Sequence, residues 1–189
     1  MPRIAFVWDS EKAIQASCYL IGRIGRIDRV VLTKLLYYAD RDHFLAEGAP
    51  ITGDAQRAMK HGPVPFNTYA MLSGERDESE EWIKFVHEED WSLSVRLDPG
   101  TARLSPSEVA ALDSVVQDHG RKGKWELVAE THQLPEYVKT YEDGLSPPIP
   151  YETILQCYEM GDGSRFRKGR PVVSRRSMAA MPCPWPAWQ

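Results

Sequence analysis

The densest cluster of side chains able to do chemistry is Asp40-Arg41-Asp42-His43. On a helix, Asp40 and His43 lie three residues apart and share a face, as two metal ligands or an acid/base pair would. That spacing supplies only two ligands, and a third would have to come from elsewhere. A salt-bridged, solvated helix end fits the same four residues, and so does an Asp40 buried as a hydrogen-bond acceptor for a neighbouring loop. The other histidines are His61, His87, His119 and His132, and the chain has no His-Glu-x-x-His, Gly-x-Ser-x-Gly or Gly-rich phosphate loop. Cys18, Cys157 and Cys183 are odd in number and form no Cys-x-x-Cys pair, which argues against a disulfide framework or zinc ribbon. Cys18 and Cys157 sit inside apolar helical patterns, the setting of inert core thiols. These residues predict no catalytic group, no metal and no cofactor.

Two rigid stretches carry more information. In Ala58-Met59-Lys60-His61-Gly62-Pro63-Val64-Pro65, the prolines fix their own φ and push Gly62 and Val64 towards extended backbone. Gly62 allows a backbone path or a close approach that a side chain would block. A loop this stiff can present His61 in one geometry for recognition, or simply turn the chain into a helix near Asn67. In Thr131-His132-Gln133-Leu134-Pro135-Glu136-Tyr137, Pro135 should end one helix and start the next. His132 then lies at the junction, where a core histidine bonded to a carbonyl or carboxylate is the favoured reading.

The elements that must position these residues are mostly helices. Residues 28–46 put Val31, Leu32, Leu35, Leu36, Tyr38 and Ala39 on one broad stripe, with Asp28 as cap and Gly48 and Pro50 as the stop. Residues 105–119 open with Ser105-Pro106-Ser107-Glu108, a capping box with proline at the first helical position. Their apolar face is Val109, Leu112, Val116 and His119, and Gly120 closes the helix. A first helix over 10–21 ends at Gly22, and shorter ones are expected at 66–73, 124–131 and 151–158. Trp91, Leu93, Val95 and Leu97 alternate with polar residues as a half-buried strand. Trp82 to His87 is its partner through Glu88-Glu89-Asp90. The expected class is mainly α (α+β): a helical domain with a small antiparallel hairpin and a flexible C-terminal tail.

The 189 residues are 42% hydrophobic and 26% charged, ordinary values for one globular domain plus an appendage. Net charge is −4, against a protein that holds polyanions by bulk charge. It divides into −9 for residues 1–160 and +5 for 161–189. The basic stretch carries Arg165, Arg167, Lys168, Arg170, Arg175 and Arg176, four prolines and no apolar period, and it reads as a flexible tail on an acidic domain. Its arginines could touch phosphates, but nothing resembles a base-reading motif, so nucleic acid is a poor candidate partner. Trp185 and Trp188 could anchor a protein partner. The apolar run Ile4 to Trp8 is too short for a signal-peptide core, and no stretch reaches the ~20 residues of a membrane span. A cytoplasmic protein is expected.

Lys34-Leu35-Leu36-Tyr37-Tyr38-Ala39-Asp40, Pro50-Ile51-Thr52-Gly53-Asp54 and the two rigid stretches together resemble, in order, the Panacea domain of SocA-type antitoxins. That domain is also found in phage-associated proteins. The resemblance runs from about residue 13 to 158. One departure is Tyr137, where the family often has Trp. The resemblance implies a non-catalytic antitoxin paired with a protein toxin, for example a nucleotide-dependent enzyme that arrests translation. It implies neutralisation by direct binding or, as in SocA itself, delivery of the toxin to the ClpXP protease. It transfers no site signature. Asp40, His61, Gly62, Pro63, Val64, Pro65, His132 and Tyr137 are thus candidates for partner contact or for internal scaffold, the latter being the preferred reading. Arg175, Arg176, Trp185 and Trp188 are the tail's candidates.

Overall fold

The computed structural model describes residues 4–159. The tail with Arg175, Arg176, Trp185 and Trp188 lies outside them. Eight helices and five short strands follow one another among the described residues. They are α1 (Ser10–Ile24), β1 (Ile27–Asp28), α2 (Arg29–Glu47), β2 (Gln56–Met59), β3 (Gly62–Pro65), α3 (Phe66–Leu72), α4 (Ser79–Phe85), β4 (Val86–Glu89), β5 (Ser92–Val95), α5 (Pro106–His119), α6 (Lys124–Thr131), α7 (Pro135–Thr140) and α8 (Tyr151–Glu159). The class is mainly α with small antiparallel sheets, as the residues predict.

α2 is the axis of the fold. Every residue from Val31 to Arg41 is buried, because α1, α5, α6 and β3 pack around it. A helix with no free face must be wrapped, and its charged residues must then find partners inside. Its ends follow the sequence: the Asp28 side chain accepts from Val30 N–H, and Gly48 closes it in the left-handed conformation. α5 opens with the reciprocal Ser105–Glu108 capping box and proline in its first turn. Such a cap contributes about 1 kcal/mol. Leu32, Leu35, Leu20, Leu112 and Leu127 form the centre of the main core. A second cluster gathers Tyr37, Phe44, Ala58, Tyr137, Ile149, Tyr151 and Ile154 under α8.

Several boundaries differ from the expectations. α1 runs through Gly22 to Ile24, because Gly22 faces open space and a helix can absorb it there. Trp82 is on α4 rather than on a strand, and the strand begins only at Val86. In the 91–97 segment, Leu93 is buried and Val95 half-buried, whereas Trp91 and Leu97 are exposed beyond the strand's ends. Ile27–Asp28 adds a third strand, giving the order β1-β5-β4. Val115, not named on the α5 face, is buried, and Val116 is only half-buried. The stiff stretch 58–65 is not an irregular loop. It is most of a second antiparallel hairpin, with Gln56 opposite Pro65 and Met59 opposite Gly62. Its outer edge is covered by residues 147–149, since Ala58 N–H donates to Pro147 O and Ile149 N–H to Gln56 O. β3 is left as the opposite edge of this ladder, the position where a residue without an N–H is tolerated.

Candidate functional site

The two rigid stretches meet on α2. Lys34, fully buried, donates from Nζ to the Pro63 carbonyl at 2.7 Å. Burial without a carboxylate partner pushes its pKa down to about 7. Gly62 takes φ +95°, and a Cβ there would meet Thr131 Oγ1 at 2.6 Å and Lys34 Nζ at 3.0 Å. Gly62 is therefore required twice, for its backbone angle and for the close approach of α6. His132 stacks flat on Tyr137, ring centroids 4.9 Å apart, and Tyr137 Oη donates to the Met59 carbonyl at 3.0 Å. Burial and then the Lys34 charge lower the His132 pKa, against a raising hydrogen bond to the Lys60 backbone. Glu136, also fully buried, accepts from Tyr37 Oη at 2.9 Å and faces the Arg41 guanidinium at 3.6 Å.

Asp40 does the same work nearly two turns further along α2. Its Oδ1 accepts from Thr52 N–H at 2.8 Å, and its Oδ2 from Thr52 Oγ1 at 2.5 Å and Gln56 Nε2 at 3.3 Å. Burial outweighs these bonds and raises its pKa to about 7. Asp54 accepts from the backbone and side chain of both Asn67 and Thr68, tying the approach to β2 to the first turn of α3. His43, the imagined partner of Asp40, is engaged elsewhere, by the Ala49 carbonyl at 2.6 Å and Ser107 Oγ at 3.3 Å. The two share a helix but serve different loops. Cys18 is buried, and desolvation raises its pKa to about 12, the opposite of an activated thiol. Among the described residues no three His, Cys, Asp or Glu side chains are grouped to hold a metal ion.

The structure thus buries Asp40, Gly62, Pro63, Val64, Pro65 and Tyr137, and leaves His132 half-buried. His61 alone of these candidates is exposed, at the turn of the β2–β3 hairpin. Its ring meets the edge of Trp125 with centroids 5.8 Å apart, and Lys124 Nζ lies 5.3 Å from the centre of that indole. The Trp125 ring faces out of α6, which the 124–131 helical pattern does not show. Lys34 is the other residue that the sequence leaves unmarked. The position of Lys34 inside an otherwise apolar stretch of α2 was the available signal. A groove of about 300 Å³ lies elsewhere, lined by Phe6, Trp8, Gly53, Asp54, Pro150 and Tyr151 among others.

A family model described as antitoxin SocA-like, Panacea domain, matches residues 32–136. The chain belongs to this family. The match starts on α2 and ends in the first turn of α7, so it takes in Lys34, Asp40, Asp54, the whole β2–β3 hairpin, His132 and Glu136. Tyr137 falls one residue beyond it. The interior lattice described above is therefore a lattice of the Panacea domain. No curated protein and no solved structure matches the chain. No helix among the described residues is long and apolar enough to cross a membrane.

Proposed function

We propose that this protein is an antitoxin that neutralises a cognate protein toxin by binding it directly, with no bond made or broken by its own side chains. The observation that carries the reading is where the family's motif residues spend their polar atoms. Lys34, Asp40 and Asp54 hold loops and helix starts together inside the domain, and Gly62 to Pro65 are packed beneath the surface. A motif used up in scaffolding supports a protein whose activity lies on its outer face. Charge supports the same reading. With −9 on residues 1–160, the body suits a toxin whose working cleft is basic, as in an enzyme that handles nucleotides or RNA and arrests translation. The basic residues 161–189 would then add a second contact through a short tether.

The test is stoichiometric inhibition with purified components. The toxin encoded beside this gene should lose activity as the antitoxin approaches equimolar amount, with no protease present. A toxin that stays active in that mixture, yet disappears from cells only when a ClpXP-type protease is present, would make the protein an adaptor instead. Removing residues 161–189 should weaken the complex, and unchanged affinity would discard their part in it.

A further inference from the structure

Two exposed tryptophans stand at opposite ends of one continuous run of contacts. Trp91 is 68% exposed and Trp125 63%. The Arg29 guanidinium lies 5.4 Å from the centre of the Trp91 ring. Asp28, next in the chain, receives Lys124 Nζ at 3.1 Å, and Lys124 in turn covers the Trp125 ring, whose edge meets His61. We propose that this stripe from Trp91 through Arg29, Asp28 and Lys124 to Trp125 and His61 is the surface on which the toxin docks, its two indoles entering apolar pockets of that partner and its His61 end meeting the partner's carboxylates. The inference rests on the antitoxin reading and names the face that performs it.

Four observations converge on it. Each indole is held by a cation or a ring while most of its area stays in water, so little side-chain freedom remains to be lost on binding. Trp91 and the preceding Asp90 have φ of +67° and +50°, a left-handed turn that a bulky aromatic enters only with strain. Glycine or asparagine would make that turn more cheaply, so the fold gives no reason for tryptophan there. The flanking charges are already paired, Arg29 with Glu88 at 2.5 Å and Arg26 with Glu89 at 2.9 Å, as at the rim of an interface whose centre is Trp and Arg.

At the other end cations gather round an exposed ring. The His61 ring meets Trp125, which Lys124 covers while pairing with Asp28, and partial desolvation with the charges of Lys60, Lys34 and Lys124 lowers its pKa. His132 lies close enough to feel it as well. On a body as acidic as this one, such a spot can accept carboxylates in only one orientation of the partner. It fixes the register of docking while the rest of the body faces the toxin's basic cleft.

The test uses the full chain and the double variant Trp91→Gly/Trp125→Ala. Wild type should bind the toxin encoded by the neighbouring gene, and the double variant should lose at least 100-fold in affinity by calorimetry. Its melting temperature should be no lower than that of wild type, because glycine in place of Trp91 relaxes the turn. Equal affinity of the two proteins overturns the stripe and leaves the antitoxin reading standing. A second arm pans a displayed random 12-residue peptide library against wild type. Peptides rich in apolar and acidic residues that no longer bind the double variant support the stripe even if the neighbouring product does not bind, an outcome that would remove the antitoxin reading instead. Peptides that bind both proteins equally, or no enrichment at all, overturn it.

Discussion

Two hairpins with two-residue turns, β2–β3 and β4–β5, solve the same problem in opposite ways. The first turns through Lys60-His61 and gives the left-handed conformation to Gly62, whose missing Cβ lets Thr131 and Lys34 close in. Its second strand is buried at every position. The second turns through Asp90-Trp91 and forces both into the left-handed region with no glycine, leaving Trp91 in solvent. In the first hairpin each residue is explained by what it touches inside. In the second the residue at the tip is explained by nothing inside. The family's motif marks the scaffold, and function is to be sought where local structure tolerates a strained residue.

The scaffold hairpin should break hardest. Gly62→Val puts a branched side chain at φ +95° against Thr131 and Lys34, and the loss should be about 3 kcal/mol or more in chemical denaturation. An unchanged midpoint would mean the hairpin can lift off α6. Asp40→Ala takes the acceptor from the buried backbone and hydroxyl donors of Thr52 and should lose about 2–3 kcal/mol.

The pH dependence should come from the same interior. In Asp40 the folded carboxyl binds its proton more tightly than the unfolded one, so its contribution to stability falls as pH rises from about 4 to about 7. Lys34 behaves conversely. The unfolded chain holds the lysine proton from about 7 up to its ordinary 10.5 while the folded one does not, so this contribution rises with pH across that window. Asp40→Asn should flatten the lower window relative to wild type and Lys34→Met the upper one, read from denaturation midpoints across pH. Parallel curves for variant and wild type would show that the buried groups do not titrate there.

The exposed hairpin should respond least, and in the other direction. Trp91→Gly removes left-handed strain worth about 1 kcal/mol and forfeits a cation–π contact of about 0.5 kcal/mol, for a small net gain in melting temperature. A marked loss would place Trp91 in the structure's service and erase the contrast between the hairpins. Arg26→Ala, which opens an exposed pair with Glu89, should leave stability within experimental error.

The helices were legible because their ends carry local chemistry. Asp28, the Ser105–Glu108 box and Pro135 stand where the sequence puts them, since a cap is decided within four residues. The β2–β3 hairpin was not legible as strands. Pro63 and Pro65 deny it the usual pattern, and only the fold shows that β3 is an edge strand, its partner β2 being covered on the far side by the distant segment 147–149. Trp82 fits a strand or a helix, and only tertiary packing decides between them, whereas Trp91 continues the strand's alternation and yet lies in the turn before it. Of the candidate residues, Asp40 was read both as a ligand and as a buried acceptor, and the structure places it as the acceptor. The stripe from Trp91 to His61 was invisible, because it joins four stretches of chain that only the fold brings side by side.

The measurement that bears most directly on the central claim is toxin abundance in cells whose growth the antitoxin has restored. Growth should recover while the amount of full-length toxin stays constant, and the two proteins should co-purify as a defined complex. Recovery accompanied by disappearance of the toxin, or recovery with the toxin intact, unbound and chemically altered, would contradict it.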